Sequence, residues 1–126
     1  MSKILLVEDG LIIAFHLRKL LEDNGHEVIA NLTNGEEVFD HVEKSNPELI
    51  ILDIMLKGKM NGVEAAQELR KISNAPIIFM SAFTDYKTTK KITKITNSIK
   101  LNKPFEEDLL MQEISKMLLE NSLGTA

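Results

Sequence analysis

The chain has 126 residues, 44% hydrophobic and 27% charged, with a net charge of −4 and no cysteine. These proportions fit one soluble globular domain with an ordinary core, and they exclude disulfide and thiolate chemistry. No apolar run approaches the roughly 20 residues of a bilayer span, and the start, MSKILLVED, lacks the succession of a secretory signal, so a cytoplasmic protein without membrane association is expected.

In chain order, KILLVE (3–8) is a compact apolar run that predicts a strand. Ile13, Leu17, Leu20 and Leu21 then recur at helix spacing, and Asn24-Gly25 supplies the stop. HEVIANLT predicts a second strand, with Val28, Ala30 and Leu32 alternating with their neighbours. NGEEVFDHVEKSN places acids in a first turn and Val38, Phe39 and Val42 on one side, which predicts a short helix. After Pro47 comes LIILDIM (49–55), a run apolar enough for a strand buried on both faces, yet it carries Asp53. A carboxylate does not stand there for stability, so Asp53 must sit at the rim of the core or be held by partners.

NGVEAAQELRKIS predicts an amphipathic helix with Val63, Ala66, Leu69 and Ile72 inward. PIIFMSA (76–82) predicts another buried strand, begun by a proline where the missing donor costs least. DYKTTKKITKIT has helical spacing, but threonine and isoleucine are poor helix formers, so this should be the weakest element. SIKLN predicts a short strand with Ile99 and Leu101 on one face and Lys100 and Asn102 on the other. PFEEDLLMQEISKMLLEN closes the chain as a helix with acids in its first turn. Five strand–helix pairs with short connections predict an α/β doubly wound domain, a parallel sheet covered by helices on both faces.

In such sheets ligands bind beyond the carboxyl ends of the strands. The polar residues at those ends are Glu8 and Asp9, Asp53, Ser81 and Lys103. Singly, each has an ordinary reading as a solvated strand end, a cap or a loop lysine. Together, on the right strands, they make a specific set. Crowded carboxylates repel and call for a cation, and oxygen ligands suit Mg²⁺. A lysine and a hydroxyl opposite could hold a phosphoryl group, with an aspartate as the nucleophile that forms an acyl-phosphate.

Charge is uneven. From Asp85 to Lys103 there are six lysines and one acid, a local +5 that leaves −9 for the remainder. The segment is either a solvated lysine face or a docking surface for an acidic partner. Without arginine, and with Tyr86 as its one aromatic, it does not favour nucleic acid.

Through ILLVEDG, ELIILDIML, NGVEAAQELR, PIIFMSA and NKPFEEDLL, the chain resembles the receiver domain of two-component response regulators over essentially its whole length. The resemblance implies a flavodoxin-like (βα)5 fold with strand order 2-1-3-4-5. It places a receiver domain at 1–121 and a short C-terminal tail at 122–126, with no output domain. It implies that Asp53 takes a phosphoryl group from a sensor histidine kinase or phosphotransfer protein. Glu8, Asp9, Asp53 and the backbone carbonyl of Met55 would hold Mg²⁺. Ser81 would move toward the phosphoryl group and Lys103, ahead of a cis Pro104, would pair with it. Such a chain is a signalling phosphoacceptor rather than an enzyme with a separate substrate.

The sequence departs from the family pattern in four places. Lys100 stands where an aromatic usually rotates with the hydroxyl residue, Gly10 where a third acid is frequent, and the loop IMLKGKMNG is one residue longer than common and lacks its proline. Met55 and Phe83 occupy the two positions that flank the phosphoryl group in the family, and such apolar bulk predicts slow loss of phosphate. The family's usual output face, its fourth helix, fifth strand and fifth helix, coincides here with the lysine-rich segment, where Ile92 and Ile95 are either core or a docking ridge.

Other readings are a receiver-like docking module without phosphorylation, kept open by Lys100, and a magnesium-dependent phosphohydrolase of the haloacid dehalogenase type. The latter needs a second aspartate two residues after the first, where this chain has Met55. A flavodoxin would need a phosphate cradle where VEDGLI is acidic. AFHLRKLL resembles a kinase phosphoacceptor helix, but His16 lies in a strand–helix alternation, and His16, His26 and His41 show no metal-ligand spacing.

Overall fold

A computed structural model of the chain describes residues 2–56, 58–82 and 85–124. Five strands and five helices alternate: β1 (Lys3–Val7), α1 (Leu11–Asp23), β2 (Glu27–Leu32), α2 (Val38–Ser45), β3 (Leu49–Asp53), α3 (Gly62–Leu69), β4 (Ile77–Ser81), α4 (Tyr86–Thr93), β5 (Ser98–Asn102) and α5 (Glu107–Gly124). The strands form one sheet in the order β2-β1-β3-β4-β5, all neighbours parallel. The doubly wound architecture and its strand order are therefore as the sequence led us to expect.

Side chains alternate across the sheet and build two cores. Leu5, Val7, Ile50, Leu52, Ile77 and Phe79 face α2, α3 and α4, where they meet Val38, Val42, Val63, Ala66 and Leu69. Ile4, Leu6, Leu49, Ile51, Ile78 and Met80 face α1 and α5 and meet Ala14, Leu17, Leu21, Leu110, Ile114 and Met117. The central strands β3 and β4 are buried at every position, which is why both read as continuous apolar runs.

Several local expectations are corrected. On α1 it is Ala14, not Ile13, that completes the buried stripe, and Ile13 remains 44% exposed. In β2 the register to β1 shifts between Ile4 and Leu5, so that Val28 joins one core while Ala30 and Leu32 join the other. A bulge inserts one residue and inverts the alternation beyond it. Helix α3 opens with a capping box, in which the Asn61 side chain accepts from the Glu64 amide and Glu64 accepts from the Asn61 amide. It ends at Leu69, which leaves Ile72 outside the helix and exposed.

There the Arg70 guanidinium donates to the carbonyls of Ser73, Thr96 and Asn97, tying the end of α3 to the turn before β5. Ile92 and Ile95 are buried in the core, so the docking-ridge alternative falls away. Helix α5 continues to Gly124. No helix among the described residues is long and apolar enough to cross a membrane.

Candidate functional site

The parallel sheet brings the carboxyl ends of β1, β3, β4 and β5 to one rim. Asp53 closes β3 and Ser81 closes β4; Glu8 and Asp9 follow β1, and Lys103 follows β5. Glu8, Asp53 and Ser81 are the buried polar residues of the described chain, at 2%, 4% and 0% exposure. A carboxylate so placed needs compensation. Lys103 supplies it, with its Nζ donating to Glu8 Oε1 at 2.9 Å and to Asp53 Oδ2 at 2.8 Å. The other Asp53 oxygen, Oδ1, accepts the Met55 amide at 3.0 Å, and Glu8 Oε2 accepts the Gly10 amide at 3.2 Å.

Burial pushes the Glu8 carboxyl above the usual carboxylate range; Lys103 works against the shift, and the neighbouring Asp53 adds to it. At Lys103 burial by itself would lower the ammonium pKa, but the hydrogen bonds and charges of Asp53 and Glu8 outweigh it and hold the group above its ordinary value. Lys103 therefore stays a cation between two acids through the physiological range.

Carboxylate oxygens of Glu8, Asp9 and Asp53 lie within 4.8 Å of one another. An all-oxygen set this tight, at a solvent-facing rim, fits a hard divalent cation of the Mg²⁺ type that keeps some of its waters. The side chain of Met55 stands 69% exposed at that rim. Its expected partner in hindering water, Phe83, lies outside the described residues. The Lys103–Pro104 peptide is cis, as expected.

Three features of the site were not evident in the sequence. Gly62, at the start of α3, packs so closely on β3 that a Cβ there would lie 2.1 Å from the Asp53 carbonyl oxygen. Asn31 of β2 donates to the Glu8 carbonyl at 3.2 Å and so braces the acidic pair. Leu11, Ile12 and Phe15, at the entrance of α1 beside Asp9, are 80%, 86% and 72% exposed. The last has a signal that could have found it, since these three apolar residues fall off the Ala14–Leu17–Leu21 stripe.

The lysine-rich segment divides. Lys87, Lys90, Lys91 and Lys94 are exposed on and just beyond α4, whereas Lys103 is turned into the site. Lys100 is half-buried on β5, between a groove against α4 and another toward α5.

Known proteins share this fold and resemble the sequence. The model of a family described as the response regulator receiver domain matches residues 4–115. The chemotaxis protein CheY of Bacillus subtilis is 28% identical over 117 residues, 92% of this chain and 97% of that protein. The transcriptional regulatory protein PdtaR of Mycobacterium tuberculosis is 27% identical over 103 residues, 82% of this chain and 50% of its own length. The chain thus spans about half the length of some curated relatives it matches, as it does of PdtaR. Among solved structures, the signal receiver domain of a modulated diguanylate cyclase from Desulfovibrio desulfuricans G20 superposes with a TM-score of 0.90 at 33% identity, covering 98% of each chain.

Proposed function

The chain belongs to the response regulator receiver domain family of two-component signal transduction, and on that premise we propose that Asp53 is its phosphoacceptor, taking phosphoryl from a histidine kinase or phosphotransfer protein. The observation that carries the proposal is the bridge made by Lys103 to two buried carboxylates, Glu8 and Asp53. For packing alone such a cluster offers little, because desolvation offsets most of what the ion pairs contribute. As a site for an incoming dianion it is well suited.

In the transfer, an Asp53 carboxylate oxygen forms a bond to phosphorus as the bond from phosphorus to the donor's imidazole nitrogen breaks, and the imidazole leaves with the electron pair and takes up a proton. Glu8, Asp9, Asp53 and the Met55 carbonyl are the residues that would hold Mg²⁺, which when bound neutralises charge on the phosphoryl oxygens. Lys103, already in contact with Asp53, follows the phosphoryl group and offsets the charge that accumulates there. Ser81, buried at the end of β4, supplies a hydroxyl that moves toward a phosphoryl oxygen. The exposed Leu11, Ile12 and Phe15 give the phosphodonor protein an apolar landing beside the acids.

Output runs through the α4–β5–α5 face to a protein partner of acidic character, through Lys87, Lys90, Lys91 and Lys94. With Lys100 in place of an aromatic, the face changes by a route other than rotation of a ring. Charge reversal at Lys90, Lys91 and Lys94 should abolish partner binding; unchanged binding would remove the acidic-partner reading.

The function itself is tested by intact mass after incubation with Mg²⁺ and acetyl phosphate. One added phosphoryl group is expected, absent from Asp53→Asn and from a chelated sample. No gain in the folded wild-type protein, with a beryllium fluoride mimic also failing to bind, would favour a docking module that works without phosphorylation.

A further inference from the structure

The connection from β3 to α3 carries the backbone of Met55, and it lies largely on the surface: Met55, Gly58 and Lys59 are exposed and Met60 is half-buried. Something must nevertheless fix its path, because the amide of Met55 and the carbonyl that follows it belong to the site. At the far end, the Gly62 amide donates to the Ile54 carbonyl at 2.9 Å and closes the loop on itself. Near the middle, the grip comes from another loop altogether. The Glu36 carboxylate, between β2 and α2, accepts the Met60 amide through Oε1 at 2.7 Å. Gly58 adopts φ +97, and a Cβ on it would meet Glu36 Oε2 at 2.9 Å, so the turn is shaped around that carboxylate.

Glu36 is itself anchored. The Asn34 side chain accepts the amide of Glu37, three residues on, at 3.1 Å, a capping-type hydrogen bond that sets the loop carrying Glu36. One strand earlier, Asn31 donates to the carbonyls of Glu8 and Leu32, and the Glu8 amide donates to Leu32. A chain of contacts therefore runs from Glu8 through β2 and its following loop to Glu36, across to Met60, and back along the connection to Asp53. An open surface depression of about 430 Å³ lies beside it, lined by Asp9, Leu11, Thr33, Asn34, Glu36 and Gly58. The two sources of site carboxylates, the end of β1 and the end of β3, are thus braced against each other through Glu36.

We propose that Glu36 is a positioning residue for the phosphoacceptor site, holding the β3–α3 connection through the Met60 amide and so fixing the backbone of Asp53 to Met55 relative to Glu8 and Asp9. The inference rests on the reading of Asp53 as phosphoacceptor. Glu36 touches no reacting atom, and its effect passes through backbone geometry, as that of outer-shell groups does in metal sites.

The test compares Glu36→Ala with Glu36→Gln, whose amide oxygen can still accept from Met60. Three quantities are read on the full chain: hydrogen exchange at the Met60 amide, Mg²⁺ affinity by calorimetry, and the rate of phosphoryl gain from acetyl phosphate. In Glu36→Ala the Met60 amide should lose protection and Mg²⁺ affinity should fall about tenfold, the lower end for an outer-shell partner. Phosphorylation should slow at subsaturating Mg²⁺ and recover at high Mg²⁺. Glu36→Gln should restore all three.

Wild-type Mg²⁺ affinity in Glu36→Ala, despite an exposed Met60 amide, would overturn the positioning role and leave the phosphoacceptor reading intact. Equal losses in both variants would overturn it too, since charge rather than the hydrogen bond would then be responsible. A wild-type chain that gains no phosphoryl group would remove both readings together.

Discussion

Replacing Gly62 by alanine sets two effects of opposite sign against each other. Gly62 opens α3, where alanine is favoured over glycine by up to about 1 kcal/mol in a helix interior and by less in the first turn. Judged on propensity, Gly62→Ala should stabilise the protein. The structure gives the other sign. The new Cβ would lie 2.1 Å from the Asp53 carbonyl oxygen and 2.9 Å from both the Asp53 carbonyl carbon and the Ile54 Cα.

Carbon and oxygen settle at about 3.3 Å or more, so roughly 1 Å must open between α3 and the end of β3. The obstacle is backbone in a strand buried on both faces, not a flexible side chain that can turn away. Overpacking of this kind costs about 1–3 kcal/mol, and opening the gap also strains the Gly62–Ile54 hydrogen bond, worth about 1 kcal/mol net. The steric terms win, and a net loss of about 1–3 kcal/mol is expected.

Urea unfolding followed by circular dichroism reads this directly, as a lower midpoint at unchanged slope. The same variant moves the backbone that carries Asp53. Misplacement of a reacting group by about 1 Å can cost about 100-fold in rate, so phosphoryl gain from acetyl phosphate should slow by at least about tenfold. A midpoint equal to or above that of the wild type, with an unchanged phosphorylation rate, would refute the reasoning and show that helix propensity decides at this position.

Met55→Asn should shorten the lifetime of the phosphorylated protein, because an exposed thioether at the rim is exchanged for a group able to orient water; equal decay in an intact-mass time course would count against it. Burial pushes the His26 imidazole below its ordinary pKa, and its Nδ1 has no hydrogen-bond partner among the described residues. The folded state then binds fewer protons at this site than the unfolded chain. Its contribution is present above the unfolded pKa of about 6.5 and is lost as pH falls through that value and the lower folded one. His26→Gln should therefore flatten the decline in urea midpoint between pH 7.5 and 5.5, and parallel declines in the two proteins would exclude the assignment. Glu8, whose pKa is raised, acts with the opposite sign, which is why the comparison is drawn between variant and wild type.

Much of the protein was legible in its residues. Continuous apolar runs at β3 and β4, helical stripes such as Val38–Val42 and Val63–Ala66–Leu69, and turn residues between them follow from burial of one face or two. Burial is a local pattern with a fixed period, so a linear reading captures it. The candidate site was legible for a related reason. In a parallel sheet all strand ends lie on one rim, and polar residues at the ends of four strands must assemble there whatever the details of packing.

What only the tertiary structure decided depends on how closely distant segments approach. The bulge in β2 redistributes Val28, Ala30 and Leu32 between two cores because its register is set against β1. Lys103 was expected opposite the acids, but its double contact with Glu8 and Asp53 joins residues 95 and 50 positions away. Gly62 must be glycine because of where the Asp53 carbonyl lies, and Glu36 reaches Met60 across two loops separated by 24 positions. Contacts of this kind leave no periodic trace along the chain, since they are fixed by the sum of every packing decision between the two partners. Side-chain chemistry named the ingredients of the site, and the geometry that holds them came from the fold.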